Sequence, residues 1–354
     1  MAGKKVRMAV AGLGFGASFA RIYRNHPDVE YVGICDGAAN RLDAMGREGF
    51  TRQHHNFDEL VNSPDYDAVH VCLPVTWHAE PVAAVLKSGK HCACAVPMGM
   101  MLEELRAVIA AQRASGRNFM MMETMVFSTK YLFAKELHRR GEFGRLQFLR
   151  AAHYQDLEGF RVWEGLPPMH YITHAVSPLL DITAGRASRV FCLGSGKMKE
   201  EFHSRYGNPY PIESMLFEIE GAGIAAEVTR TIFATAAKYS EEYEIYGEKL
   251  SFFSRTGELV RALPLPANGL GIPMQVEKPD FPLNFESLPE SIRNAEATHG
   301  NSHPRLAHEF VRSIVEGRKP AIDAVTAANW CAVGICAHAS AMQGGRVMDV
   351  PSFG

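Results

Sequence analysis

Short apolar runs alternate with amphipathic helical stretches along the first third of the chain. The strand-length runs include "VRMAVA", "EYVGICD", "YDAVHVCLPV", "HCACAV" and "NFMMMETMVF", and helical patterns such as "HAEPVAAVLKSGK" and "LEELRAVIAAQRASG" lie between them. Strands that alternate with helices are typical of a parallel sheet whose crossover helices cover its faces. The pattern predicts a Rossmann-type α/β domain over residues 1–125.

The pattern changes after residue 125. Long β-rich stretches, "SRVFCLGSGKM", "SMLFEIEGAGIAAEVTRTIF" and "EEYEIYGEKLSFFS", predict an α+β domain over residues 126–354 with a large, mainly antiparallel sheet. "MHYITHAVSPLLDITAG" predicts a helix with His170 and His174 four residues apart on one face. The tail predicts two helices, which could pack back on the first domain, and a final extended segment. A length of 354 residues also favours two domains, and the active site is expected between them.

A glycine-rich turn follows the first predicted strand and opens the first predicted helix. Gly12 and Gly14, with Ala17 in the third place, match the G-x-G-x-x-A fingerprint. The first glycine allows a tight turn, the second lets a pyrophosphate approach the backbone, and the helix N-terminus faces the phosphates. Asp36 ends the second strand, where a carboxylate binds the ribose hydroxyls of NAD and repels the 2′-phosphate of NADP; the alternative is that it caps the next helix. NAD is the predicted cofactor.

Parallel sheets bind their ligands at the carboxyl ends of the strands. The predicted ends carry Leu73 and Pro74, then the turn 95–97, then Glu123. His78 is expected to line the cofactor pocket, the alternative being a residue that only begins the next helix. The predicted cofactor-binding residues are Gly12, Gly14, Phe15, Gly16, Asp36, Leu73, Pro74, His78 and Pro97.

Composition narrows the class of protein. The formal net charge of −2 gives no reason to expect nucleic acid or an anionic membrane as a partner. Seven scattered cysteines in a chain of this length favour free thiols and a cytoplasmic location. Cys92 and Cys94 have no second pair at zinc spacing, so no metal site is predicted. The basic and then apolar start, "MAGKKVRMAVAGLGFG", is interpreted as a first strand because the glycine turn follows at once.

Together these features resemble the Gfo/Idh/MocA, or glucose–fructose oxidoreductase, family. The resemblance covers nearly the whole chain and rests on the N-terminal fingerprint, on "LPVTWHAEPVAAVLKSGKH", on the Val-Pro turn and on the tail from "EGRKPAID" to "MDVPSF". In that family the corresponding turn normally reads Glu-Lys-Pro, and its lysine helps to activate the substrate hydroxyl. Here the turn is Ala95-Val96-Pro97, which has no acid–base side chain. His174 matches the family's catalytic histidine, and Ser177 stands where the family often has aspartate.

One branch of the family, the NAD-dependent glycoside hydrolases such as the α-N-acetylgalactosaminidase group, also lacks the lysine and has Val-Pro at the turn. "MMMETMVF", "AHYQDL" and "YITHAVSP" resemble three further segments of that branch. Two departures, Ala95 for its glutamate and Ile172 for its proline, leave the substrate open. The catalytic residues that the resemblance implies are Glu123, Tyr154, Tyr171 and His174.

The resemblance implies a redox-neutral mechanism in which NAD takes a hydride from C3 of a sugar, the C2 proton is removed, the aglycone is eliminated, water adds and the hydride returns. His174 would deprotonate the 3-hydroxyl, because an imidazole titrates near neutral pH. Tyr154 would act as the base or polarising donor at C2–C3. Glu123 and Tyr171 would orient the sugar and tune His174. A lysine is unnecessary if these groups supply the acid–base chemistry.

Other side chains are expected to border the substrate, with His170 alternatively a core residue. If two basic groups converge, an acidic sugar becomes the expected substrate. Two other functions stay open: an NAD-dependent sugar dehydrogenase with net hydride transfer, and a non-catalytic NAD-binding protein. A homo-oligomer, dimer or tetramer, is expected from the open sheet and the resemblance. The candidate substrate residues are His170, Arg161, Trp163, Arg230 and His303; Lys130 and Lys238 are further basic residues that could border the cleft.

Overall fold

The computed structural model describes residues 5–264, 274–281, 287–295 and 299–354. These residues form two compact units. The first comprises Met1–Phe127, Asn284–Cys331 and Phe353–Gly354, and the second comprises Ser128–Leu283 and Ala332–Ser352. The expected boundary at residue 125 falls two residues before the end of the first segment. Residues 284–331 also belong to the first unit, which agrees with the expectation that C-terminal helices could pack back on the first domain.

The first unit contains a parallel sheet. Over the described residues it has six strands in the order β3-β2-β1-β4-β5-β6, and each neighbouring pair is parallel. β1 and β4 consist almost wholly of buried residues, since helices cover both faces of such a sheet. The strands are β1 Val6–Ala11, β2 Val29–Cys35, β3 Gln53–His54, β4 Ala68–Val71, β5 His91–Cys94 and β6 Phe119–Met121.

Helices connect these strands. The predicted helices after β1, β4 and β5 are present, and α2 and α3 are two further short helices. α5 ends where Gly116 adopts the left-handed conformation at φ 63°, which a glycine adopts readily. The helices are α1 Gly16–Asn25, α2 Ala39–Arg47, α3 Phe57–Asn62, α4 Ala79–Lys87 and α5 Leu102–Ser115, followed by a 3₁₀ turn at Met125–Phe127.

The later segment that belongs to the first unit packs on the Rossmann domain. α10 packs against α1. The Asn118 side-chain amide donates to Ser313 Oγ at 3.0 Å, and the Met121 amide donates to the Ile322 carbonyl at 3.1 Å. These contacts join the end of the sheet to residues about 200 positions further along the chain. The elements here are α9 Glu290–Arg293, a 3₁₀ turn at His299–Asn301, α10 Ser302–Val315 and the start of α11 Ala324–Met342.

The second unit contains the predicted large sheet. Its nine described strands run in the order β14-β13-β12-β11-β7-β10-β9-β8-β15, antiparallel throughout except that β7 and β10 are parallel. The predicted fold class is therefore confirmed. The strands are β7 Leu146–Tyr154, β8 Ala187–Ser195, β9 Ile212–Ile219, β10 Ile224–Thr231, β11 Ser240–Gly247, β12 Leu250–Phe253, β13 Glu258–Ala262, β14 Met274–Glu277 and β15 Met348–Asp349, with helices α6 Thr129–Arg139, α7 Thr173–Thr183 and α8 Glu200–Tyr206.

One face of this sheet is covered by α7, which packs against β7, β10 and β11. The expected single helix through both histidines is wrong. Pro168–Tyr171 is a 3₁₀ turn, Ile172 is the N-cap residue, and α7 begins at Thr173. His170 and His174 therefore lie in different elements and do not share an α-helical face.

Two further findings concern the whole described chain. All seven cysteines are buried free thiols. Among the described residues, none of the helices has both the length and the apolarity needed to cross a lipid bilayer.

Candidate cofactor and acid–base sites

The glycine turn between β1 and α1 has the geometry of a phosphate cradle. Gly12 has φ 92°, and a Cβ on it would lie 2.2 Å from the Cys72 carbonyl oxygen, so another residue does not fit there. Phe15, the N-cap residue of α1, makes no side-chain cap hydrogen bond. The Gly16 amide donates to the Gly12 carbonyl at 3.2 Å, and the turn at this helix N-terminus fits the kind of anionic group that helix N-termini bind, such as a pyrophosphate.

Asp36 is held at the end of β2 by the backbone of two loops. Its Oδ2 accepts from the Leu13 amide and its Oδ1 from the Ala38 amide, both at 2.8 Å. Arg41, which sequence reasoning missed, places Nη1 3.2 Å from Oδ2. The carboxylate is therefore fixed beside the glycine turn, where NAD-binding folds place the group that binds the adenosine ribose. Ala38, not Asp36, is the N-cap residue of α2.

His78 joins two strand-end loops of the first unit. Its Nδ1 lies 2.7 Å from the Pro97 carbonyl oxygen and its Nε2 lies 2.8 Å from the Leu73 carbonyl oxygen. Burial lowers the pKa of His78. A neutral imidazole has one N–H, so it donates to one of the two carbonyls. His78 is the N-cap residue of α4, and its ring lies between the Leu73 and Pro97 carbonyls.

Two strand ends of the first unit differ sharply in polarity. The turn 95–97 after β5 is half-buried at Ala95 and Val96 and carries no ionisable group. Glu123, two residues beyond β6, is fully buried, and its Oε1 accepts from the Met125 amide at 3.0 Å. At these two strand ends Glu123 is the ionisable side chain.

In the second unit, His174 and Tyr171 form a hydrogen-bonded pair. The Tyr171 hydroxyl lies 3.0 Å from His174 Nε2. The Trp163 ring packs edge-on against Tyr171, with centroids 4.6 Å apart. His174 is 4% exposed, so the pair lies in a largely water-excluded place. The structure thus brings together three of the residues that the sequence predicted.

His153, which the sequence analysis missed, lies in the same cluster. Its ring centroid is 5.4 Å from that of His174 and 5.6 Å from that of Tyr239. Its Nε2 lies 3.8 Å from Glu241 Oε1, and the Tyr239 hydroxyl donates to the same carboxylate oxygen at 2.5 Å. The signal that could have found His153 is the alternation along β7, which places residues 149, 151 and 153 on one face.

Tyr154 does not belong to this cluster. His153 pairs with Glu241 across the sheet, and the next register position pairs Ala152 with Glu242. Because successive side chains of a strand point to opposite faces, Tyr154 shares the face of Ala152 and Glu242. Burial and then the charge of Glu242 raise the pKa of Tyr154. The expectation that Tyr154 and His174 serve one site is therefore wrong.

Arg230 is a buried cation whose guanidinium is hydrogen-bonded within the protein. It is 0% exposed and donates to three backbone carbonyls and one side-chain amide: Tyr171 O from Nε at 3.1 Å, His153 O and Thr231 O from Nη1 at 3.1 and 2.6 Å, and Gln155 Oε1 from Nη2 at 2.9 Å. Burial lowers its pKa to about 10. Arg230 thus holds the backbone of Tyr171 on the sheet, and its predicted contact with substrate stays a prediction.

His170 lies apart from His174. Its ring packs on His338, 5.0 Å away, and His338 Nδ1 lies 2.7 Å from Glu213 Oε1. Burial lowers the pKa of His170 to about 3, so the ring is neutral at physiological pH.

The remaining basic candidates lie in separate places. Arg161 is exposed, and its carbonyl accepts from Arg205. His303 belongs to the first unit, where it stacks on Phe19 of α1 at 4.5 Å. Lys130 donates to the Ser254 carbonyl at 2.7 Å, and Lys238 is exposed. The expected convergence of basic groups on an acidic sugar stays a prediction.

The first unit contains an NAD-binding Rossmann domain of the kind found in nicotinamide-dependent oxidoreductases. Residues 6–123 match the model of the oxidoreductase family with an NAD-binding Rossmann fold, Gfo/Idh/MocA. The expected resemblance to that family is thereby confirmed, and with it the cofactor, NAD.

Relatives extend the likeness over the whole chain. A protein of Solibacter usitatus named glycosyl hydrolase family 109 protein is 23% identical over 98% of this chain and 88% of its own length. A protein of the same name from Stenotrophomonas maltophilia is 28% identical over 48% of this chain and only 40% of its own length. Among solved structures, myo-inositol 2-dehydrogenase from Lactobacillus plantarum superposes with a TM-score of 0.76 at 17% identity, covering 98% of this chain and all of that one. That likeness shows the fold.

Proposed function

We propose that the protein is an NAD-dependent glycoside hydrolase that works without net oxidation, by transient oxidation of the sugar and elimination of the aglycone. The observation that carries the proposal is the contrast between two places. The turn 95–97 has no ionisable side chain, whereas the second unit holds an imidazole and a phenol 3.0 Å apart. The name of the Solibacter relative supports the same reading.

The first unit fits NAD through the glycine turn, the α1 N-terminus and Asp36. Bound NAD would accept a hydride from C3 of the sugar and return it at the end of the cycle. His174 takes the proton of the 3-hydroxyl, with Tyr171 sharing it through their hydrogen bond. Glu123, a fully buried carboxylate, orients the sugar hydroxyls.

The middle of the cycle is an elimination followed by an addition. A base removes the C2 proton, the C–H electron pair forms the C1–C2 double bond, and the C1–O bond to the aglycone breaks. The aglycone leaves with a proton. Water then adds its oxygen to C1 and a proton to C2.

The test follows three signals at once. Purified protein with NAD⁺ is incubated in D₂O with neutral and acidic 4-nitrophenyl glycosides, and 4-nitrophenol, NADH absorbance and deuterium at C2 of the product are recorded. We expect nitrophenol release and C2 deuteration without net NADH. Net NADH on free sugars, with no nitrophenol, would overturn the hydrolase. If the protein binds NAD but none of the substrates gives nitrophenol, NADH or C2 deuteration, the result would support a non-catalytic NAD-binding protein.

The second candidate is an NAD-dependent sugar dehydrogenase with net hydride transfer. The fold shared with myo-inositol 2-dehydrogenase favours it. The same His174–Tyr171 pair would serve as its base, and a carbohydrate is the substrate in both cases. The two activities separate on whether NADH accumulates in proportion to product.

We further propose a homo-oligomer and a cytoplasmic location. The face of the sheet opposite α7 exposes apolar side chains on neighbouring strands, Leu216 on β9 with Phe191 and Leu193 on β8. A patch of this kind favours association of two copies. The seven unpaired thiols support a reducing compartment.

A further inference from the structure

Four ionisable side chains form one cross-strand row in the second sheet. The register pairs Glu241 of β11 with His153 of β7, His153 with Arg230 of β10, and Arg230 with Glu213 of β9. Directly paired residues share a face, and this is the face covered by α7. The row is buried, since the side chains of Glu241 and His153 are 8% and 1% exposed and those of Arg230 and Glu213 are fully buried.

The row divides into two ends with different partners. Glu213 accepts from the Met169 amide at 2.9 Å and lies 2.7 Å from His338 Nδ1, so its charge is matched locally. Arg230 uses its donors on carbonyl and amide oxygens. At the other end, the carboxylate of Glu241 faces His153 at 3.8 Å. That end is the one against which His174 packs.

We propose that His153, held by Glu241, is a positioning residue that couples the Glu241 carboxylate to His174 and so sets the proton affinity of the base. The role of His174 as the base rests on the proposed function, in either its hydrolase or its dehydrogenase form. The coupling itself is a property of the protein without substrate.

The physical basis is the electrostatics of a buried site. An anion within about 4–6 Å stabilises an imidazolium, and the effect is large where water is excluded. Glu241 is the anion beside His153, and Tyr239, half exposed, connects its carboxylate to the solvent edge. Arg230 opposes the effect with its own positive charge. The groups that face His153 are Glu241 of β11, Arg230 of β10, Tyr239 before β11, Tyr171 of the 3₁₀ turn and His174 of α7.

The His153 and His174 rings pack edge to face with centroids 5.4 Å apart, so a positive charge on either ring acts on the other. A proton that His174 takes from a substrate hydroxyl then lies one ring away from the Glu241 carboxylate, which faces His153 at 3.8 Å. No change in bonding other than this proton transfer is involved. Removing Glu241 should make the pair harder to protonate, and removing a carboxylate on the opposite face should not.

The experiment titrates imidazoles in the protein without substrate. Histidines are labelled with ¹⁵N, the His153 and His174 signals are assigned from His153→Gln and His174→Gln, and their pKa values are measured in wild type, Glu241→Gln and Glu241→Asp. We expect Glu241→Gln to lower the apparent pKa values of the pair by about one unit, and Glu241→Asp to restore most of the shift. Glu242→Gln is the matched control, because Glu242 is its neighbour on the other face, and it should leave both values in place.

A second readout uses activity. The pre-steady-state rate of absorbance change at 340 nm, with NAD⁺ and a 4-nitrophenyl glycoside or free sugar, should show its acidic limb moved to lower pH by about one unit in Glu241→Gln. If the titrations of His153 and His174 in wild type are independent single steps, or if Glu241→Gln and Glu242→Gln act alike, the proposal is wrong. Should Glu241→Gln fail to fold, the wild-type titration alone decides, because coupled rings titrate in two separated steps. Failure of the proposed function leaves these titrations unaffected and shows only in the enzyme assay.

Discussion

His153 and Tyr154 are adjacent in the chain, yet their side chains lie on opposite faces of the second sheet. His153 faces α7 and contacts His174, while Tyr154 shares a face with Glu242. The resemblance implied Tyr154 as a site residue, whereas the structure places its neighbour His153 against His174. In a strand, that single position decides whether a side chain reaches the site.

The first prediction separates the two tyrosines. Tyr171→Phe removes the hydroxyl that lies 3.0 Å from His174 Nε2, so we expect kcat to fall by at least about tenfold. Tyr154→Phe should change kcat by less than about twofold, because its hydroxyl is on the other face. Steady-state kinetics on the substrate found in the glycoside panel measures both. Equal losses from the two variants would contradict the face assignment.

Asp36 should control both the affinity for NAD and discrimination against NADP. Asp36→Ser removes the carboxylate fixed by the Leu13 and Ala38 amides, and we expect NAD to bind about tenfold more weakly. The loss of negative charge should at the same time improve binding of NADP, with Arg41 available to its 2′-phosphate. Isothermal titration with each dinucleotide tests this. Arg41→Gln is the companion variant, which should cancel the gain for NADP in the double mutant.

The lysine-free turn gives a gain-of-function prediction. Val96 is half-buried at the carboxyl end of β5, at the position where the resembled family carries its lysine. We expect Val96→Lys to raise net NADH formation from free sugars relative to aglycone release, because an added general base favours simple oxidation. The ratio of NADH to nitrophenol, measured in one cuvette, decides. Val96→Met, which is similar in length but uncharged, is the control and should leave the ratio unchanged.

Acid should weaken the first unit through His26. Its Nε2 lies 2.9 Å from His308 Nδ1, its Nδ1 accepts from the Asp28 amide, and burial lowers its pKa to about 4. The unfolded chain binds this proton near pH 6.5, so stability is full above that pH and falls by about 1.4 kcal/mol per pH unit down to about pH 4. His26→Gln should show a shallower decline over that window. Urea unfolding between pH 7 and pH 4.5 measures it, and parallel slopes for the two proteins would rule the effect out.

The exposed apolar face should govern assembly. Leu216 is 48% exposed on β9, and Leu216→Glu places a charge in the patch next to Glu218. We expect light scattering after gel filtration to give an oligomer for wild type and a smaller species for the variant, with unchanged circular dichroism. Arg261→Glu is the control, because it changes the charge on β13, away from the patch. A monomeric wild type would remove the basis for the proposed oligomer.

Much of the first unit could be predicted from local pattern. The alternation of apolar runs with helical stretches, the glycine turn at Gly12 and the acidic residue Asp36 at the end of β2 all lie within short stretches of chain, where the physical constraint is local. The same holds for the pairing of Tyr171 with His174, which are three residues apart. The 3₁₀ turn before α7 was missed because helical spacing in sequence does not distinguish it from a longer α-helix.

By itself the sequence determined the order of most strands and helices, the NAD-binding turn and the nearness of Tyr171 to His174, because each depends on neighbours in the chain. Tertiary structure alone decided that 284–331 belongs to the first unit, that Arg230 is buried against carbonyls, and that His153 rather than Tyr154 joins His174. The first outcome depends on contacts about 200 residues apart, such as Asn118 with Ser313. The other two depend on strand register and on partners 59 to 88 residues away, such as Arg230 with Tyr171 and Glu241 with His153. Register is set by the burial of a whole sheet face, and no single segment carries that information.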